Sequence, residues 1–155
     1  MNKTTAKKVL VSMLAAAMVV ALAACSDSGS NTKTAAASGY KDGTYSGRSS
    51  DFEADESGNG AGYGEVSIEL KDNKVTACEF KMYELDGTLK DETYGSDLSK
   101  ENRLKAQKAV QAAGKYASML VDAGDINGVD VISGATISYS EFVEAVNDAL
   151  SKAAE

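Results

Sequence analysis

The chain has 155 residues, a formal net charge of −7, and no histidine, tryptophan or proline. A polyanion of this kind does not seek nucleic acid or anionic lipid by charge alone. Without histidine it lacks the usual haem and copper ligands, and it has two cysteines, Cys25 and Cys78.

The N-terminus carries Lys3, Lys7 and Lys8, has no charged residue from Val9 to Ala24, and reaches Cys25 through Leu22-Ala23-Ala24. A basic start, a short apolar run and small residues before a break mark a secretory signal; the run falls short of the roughly 20 apolar residues a membrane span needs. Leu-Ala-Ala-Cys resembles a bacterial lipobox. The resemblance implies a lipoprotein signal peptide at residues 1–24, acylation of Cys25, and a mature protein held by lipid on the extracytoplasmic face of the cell membrane. The two or three acyl chains of such a cysteine make a stable anchor, where one alone binds reversibly. With Cys25 expected to carry lipid, Cys78 alone cannot close an intramolecular disulfide or supply the ligand sets of iron–sulfur clusters and thiolate zinc sites, so a redox role requires an organic cofactor. Residues 25–39 are rich in Ser, Ala, Thr, Gly and Asn and too poor in large apolar residues to fold, so they read as a flexible tether. A coil of that length spans about 20 Å root-mean-square, which keeps the domain close to the membrane.

Residues 40–155 form the expected folded domain. Tyr40 to Gly47 suits a short strand. Asp51, Glu53, Asp55 and Glu56 alternate like calcium ligands, but Glu56 occupies the place where a calcium loop needs glycine, so the segment reads as a solvated loop running into Gly58, Gly60, Gly62 and Gly64. Tyr63, Val66, Ile68 and Leu70, a turn at Asp72-Asn73, and Val75, Ala77, Phe80 and Met82 make a hairpin. The alternation slips between Ala77 and Phe80, which places a bulge near Cys78 or Glu79. Cys78 itself is expected to be a small packed residue. A long helix follows over Ser99 to Val121, capped by Ser99 and stopped by Gly124. Its apolar stripe is Leu104, Val110, Ala113, Ala117 and Leu120, with Lys100, Lys105, Lys108 and Lys115 on a solvated face. Ser138 and Glu141 have capping-box spacing. Tyr139, Phe142, Val143, Val146 and Leu150 recur at helical spacing, so a last helix is predicted from Ser138 to about Lys152. The fold class is α+β, one domain with an antiparallel sheet packed against at least two helices.

The stretch before that helix, Asp130-Val131-Ile132-Ser133-Gly134-Ala135-Thr136-Ile137-Ser138, is the most informative. Gly134 and Ala135 leave the Thr136 hydroxyl open to a bulky phosphate donor. The unpaired amides of the helix start then offer donors to a phosphate. The run resembles the Asp-x-x-Ser/Thr-Gly-Ala-Thr signature of the FMN-binding domain family, matching at Asp130, Ser133, Gly134, Ala135 and Thr136. That family includes the flavin subunits of sodium-pumping and Rnf-type electron-transport complexes and many bacterial surface lipoproteins. The resemblance implies that a flavin transferase, using FAD and a divalent cation, joins FMN through its phosphate to Thr136, with Ser138 nearby. Glu92, Thr93 and Gly95 resemble the opening of a Glu-Thr-Pro-Gly-Leu-Gly segment that lies near the flavin in the electron-transport subunits. Here Tyr94 replaces the proline and offers a ring that can stack on the isoalloxazine.

These readings predict a surface-anchored electron-carrier flavoprotein, not an enzyme in itself, that takes electrons from a membrane donor and has no nucleic-acid partner. A non-redox surface lipoprotein that binds a small molecule or peptide, or supplies a pheromone from its signal peptide, is the alternative, and a reductase acting on its own extracellular acceptor is a third reading.

Overall fold

The computed structural model describes residues 39–154. The predicted signal peptide, Cys25 and nearly all of the tether lie outside the described residues. Three strands, β1 (Gly43–Arg48), β2 (Tyr63–Lys71) and β3 (Lys74–Tyr83), are followed by α1 (Lys100–Ala123), a 3₁₀ turn (Ile126–Gly128) and α2 (Thr136–Ala153). The strands form one antiparallel sheet in the order β1-β2-β3, with Ile68 paired to Tyr45 on one side and to Cys78 on the other. α1 packs on β3, and α2 on β1 and β2. The expected α+β architecture is present, as a single domain. No helix of the described residues is long and apolar enough to cross a membrane.

Alternation in β2 is clean: Gly64, Val66, Ile68 and Leu70 are buried, while Glu65, Glu69 and Lys71 face solvent. The hairpin turn places Asp72 and Asn73 in the left-handed region, at φ 50° and 61°, the geometry of a type I′ turn. The bulge is displaced from its expected position. Glu69 pairs with Ala77 and Leu70 with Val75, so the extra residue is Thr76. Consequently Cys78, not Ala77, turns towards the core, and Phe80 and Met82 follow in phase. Hydrophobic phase locates a slip only to within a few residues; the pairing partner decides which residue is left over.

β1 begins at Gly43 rather than Tyr40, and Tyr40 instead forms an isolated bridge with Ala154. The outer edge of β1 is covered by acids of α2. Asp148 accepts from the Arg48 N–H at 2.9 Å, and Glu144 from the Ser50 N–H at 3.0 Å and from its hydroxyl. This leaves less of the edge free to recruit another strand. The approach is close because Gly47 has no side chain: a Cβ there would stand 2.0 Å from the Ala145 carbonyl oxygen.

α1 starts and stops where its capping residues predict. The Ser99 hydroxyl accepts from the Asn102 N–H, and Gly124 takes a left-handed conformation and donates to the Leu120 carbonyl. Its inward face is Ala112, Ala113, Tyr116, Ala117 and Leu120. Leu104 was expected in that stripe but is 65% exposed, because the sheet lies against the later turns of the helix. In α2 the buried face is Phe142, Val143, Ala145, Val146, Ala149 and Leu150. Phe142 packs edge-on to Phe80 and stacks on Tyr116, joining the sheet to both helices. Full burial of such a side chain contributes about 1.5–3 kcal/mol.

Candidate functional site

The segment from Ile132 to Ala135 is a tight turn closed by the Ala135 N–H donating to the Ile132 carbonyl at 3.0 Å. Gly134 sits third in that turn at φ 76°, where a side chain would be strained, which accounts for glycine at this position. Tyr116, reaching from α1, holds the turn from beneath. Its hydroxyl accepts from the Ile132 N–H at 2.9 Å and donates to the Ala135 carbonyl at 3.0 Å. Burial pushes the phenol above its ordinary pKa, while the bond from Ile132 opposes that shift. Tyr139 supports the same region, its ring packed against Tyr116 and its hydroxyl donating to the Val129 carbonyl at 3.1 Å.

α2 begins at Thr136, two residues earlier than the capping-box pattern predicts. The Tyr139 N–H donates to the Ala135 carbonyl at 3.0 Å, which makes Ala135 the cap residue, and no side chain bonds there. Ser138 is therefore not the cap. It lies in the first helical turn and is only 3% exposed, and Glu141 is a buried residue rather than its capping partner. The local pattern yields because the Tyr116 clamp fixes the carbonyl from which the helix grows. The consequence is a start without a side-chain cap, where the N–H groups of Thr136, Ile137 and Ser138 precede any helical acceptor. The Thr136 side chain is exposed, as are Asp130, Ser133 and Gly134, while Ala135 is buried. Lys108 of α1 lies across the turn: a Cβ on Gly134 would stand 2.6 Å from its Nζ.

The second expected segment is also held by α1. Gln107, next to Lys108, donates to the Tyr94 carbonyl at 2.8 Å and to the Asp91 carbonyl at 3.3 Å. Asp91 accepts from the Thr93 N–H at 2.8 Å and the Thr93 hydroxyl at 2.7 Å, and these bonds hold its carboxyl below the ordinary range. The Thr93 hydroxyl is thus engaged within its own loop, and Glu92 faces solvent. Tyr94 is half-buried, and burial raises its phenol pKa.

Beneath Tyr94 lies a charged pair for which the sequence has no local signal. Lys90, 8% exposed, has its ammonium 5.1 Å from the Tyr94 ring centre, and Glu141, 5% exposed, approaches from α2. Burial lowers the Lys90 pKa and raises that of Glu141, and each partly offsets the other's shift through mutual attraction. Glycines at alternate positions close over this row. Cβ atoms on Gly60, Gly62 and Gly64 would stand 2.2 Å from the Tyr94 hydroxyl, 2.3 Å from Lys90 Nζ and 3.1 Å from Glu141 Cβ, respectively. In the acidic loop before them, the Asp55 carboxylate accepts from Ser57 and Asn59 and so serves its own turn.

The donors gathered at the start of α2 suit a phosphate: first-turn amides, a side-chain hydroxyl and an ammonium, reached over a glycine that leaves room. Such a site on an α+β domain suits a phosphate-bearing ligand. The model of the family described as "FMN-binding domain" matches residues 59–151. The chain belongs to the FMN-binding domain family, and is a flavin-binding protein with FMN as its cofactor. The crystal structure of the CPE2226 protein from Clostridium perfringens is similar in fold. It has 21% sequence identity and a TM-score of 0.53, over 74% of this chain and 88% of that one. None of the curated proteins compared matches the chain.

Proposed function

We propose that the protein is a lipid-anchored extracytoplasmic electron carrier whose FMN is bound covalently to Thr136. The observation that carries this reading is that Thr136, an exposed residue, opens a helix that no side chain caps. A flavin transferase supplies the bond. Thr136 Oγ1 takes the flavin phosphate from FAD, the anhydride bond breaks with release of AMP, and the hydroxyl proton is lost. The first-turn amides of α2 hold the phosphate, and the Ser133-Gly134 turn keeps the approach open. Bound FMN accepts and donates one or two electrons. The chain binds, orients and tunes it.

Acylation at Cys25, after Leu22-Ala23-Ala24, keeps the domain within reach of a membrane electron donor. Outside the cell a covalent bond also retains a cofactor that dissociation would lose to dilution. The test is coexpression with a flavin transferase, denaturation, in-gel flavin fluorescence and peptide mass. The wild type should gain one FMN less one water on the peptide holding Thr136, Thr136→Ser should keep some attachment, and Thr136→Ala should lose it. Equal labelling of Thr136→Ala would refute the assignment. For the anchor, Cys25→Ser should release the domain or leave its precursor unprocessed; unchanged processing and membrane partition would refute it.

A further inference from the structure

Lys108 stands on the helix face that the sequence pattern marks as solvated, yet it does not simply extend into water. Beyond the 2.6 Å approach of Nζ, a Cβ on Gly134 would lie 3.2 Å from Lys108 Cε and 3.4 Å from Cδ. The end of the side chain is thus laid along the turn that precedes Thr136. Arg48, Lys81, Lys105 and Lys152 each have an acidic partner, whereas Lys108 makes no ion pair and no hydrogen bond among the described residues. Its neighbourhood is already positive, because the start of α2 presents the positive end of the helix dipole. Two positive groups flank the turn that leads into Thr136, in a chain where acids outnumber bases, and both are stabilised when that residue carries an anion. The register is rigid. Lys108 and Tyr116 belong to the same helix, and the Tyr116 hydroxyl is bonded to both ends of the turn.

We propose that Lys108 is the counter-cation of the phosphoester on Thr136, a cofactor-binding residue that neutralises the one negative charge the phosphate retains. This rests on the reading of Thr136 as the attachment residue. It also assigns a reason for the open α-carbon at Gly134: the turn is shaped to let the lysine side chain lie across it.

The experiment uses the full chain, purified without flavin and then incubated with FAD, a divalent cation and a flavin transferase. Covalent occupancy is followed by intact mass, and the attached phosphate by its ³¹P resonance. Lys108→Ala should slow attachment about threefold, and Lys108→Glu, which reverses the charge, about tenfold, the range expected for a partly exposed charge near a helix end. The control Lys115→Ala, on the same helix with the same change in charge, should match the wild type. Once loaded, Lys108→Ala should show a displaced ³¹P resonance that Lys108→Arg restores, a readout that transferase recognition or a merely structural role would not move. Wild-type rates and an unmoved resonance in Lys108→Ala and Lys108→Glu overturn the proposal while leaving Thr136 in place. A wild type that gains no flavin on Thr136 removes the underlying reading, and Lys108 falls with it.

Discussion

The Tyr116 hydroxyl and the Ala135 carbonyl oxygen are 3.0 Å apart, and this one bond ties the middle of α1 to the residue from which α2 begins. The same hydroxyl accepts from the Ile132 N–H, so a single side-chain oxygen sets both ends of the turn before Thr136. Tyr116→Phe keeps the ring stacked on Phe142 but leaves the Ile132 N–H and the Ala135 carbonyl without this partner. A cost of about 1–3 kcal/mol is expected, read as a lower urea midpoint at unchanged m-value. Covalent flavin should fall under conditions where the variant is still folded, because the turn loses its fixed register.

Gly134→Ala is expected to fold with a loss of about 1–2 kcal/mol, the cost of a non-glycine residue in the left-handed region. The approaching Lys108 Nζ is the end of a flexible chain and can move aside. Attachment to Thr136 should nevertheless drop, since the new methyl occupies the open side of the turn. Thermal unfolding and intact mass on one preparation separate the two effects.

Lys90 and Glu141 make opposite contributions to the pH dependence of stability. Glu141 has a raised pKa, so between its unfolded value of about 4.3 and its folded value the native state holds a proton the unfolded chain has lost. Unfolding free energy therefore falls as pH rises through that window. Lys90 has a lowered pKa, so the native state releases a proton that the unfolded chain keeps until about pH 10.4, and stability rises with pH across that interval. Glu141→Gln should remove the acid-side slope and Lys90→Met the alkaline one. Each single change leaves the other charge buried without its attractive neighbour, so each is expected to lower stability at pH 7. Lys90→Met with Glu141→Gln should cost less than the two singles together, measured as a double-mutant cycle in urea.

Cys78 should be inert. Burial is the main cause pushing its thiol up to about 12, with Glu79 adding to the shift, so almost no thiolate exists at neutral pH. A thiol reagent at pH 7.5 should label it only on unfolding, and Cys78→Ala should leave covalent flavin unchanged. Loss of covalent flavin in a folded Cys78→Ala protein would point to a thioether link in place of the phosphoester on Thr136.

Much of the fold is encoded in patterns that act over one or two turns. The β2 alternation, the Asp72-Asn73 turn, the Ser99 and Gly124 caps of α1 and the apolar face of α2 are each fixed by side chains close in sequence, so they are visible without coordinates. The Ser133–Thr136 stretch is legible for the same reason, since its glycine and small residues serve a local turn. What only the tertiary structure decides depends on partners far along the chain. The β3 bulge settles on Thr76 because the β2 register leaves that residue unpaired. α2 starts at Thr136, not Ser138, because a tyrosine on another helix holds the Ala135 carbonyl. In sequence Lys90 carries no local signal, Glu141 reads as a capping-box partner of Ser138, and Lys108 reads as part of a solvated face. Packing buries the first two beneath the alternate glycines at 60, 62 and 64 and lays the third across Gly134, because burial and electrostatic neighbourhood are set by the whole fold rather than by adjacent residues.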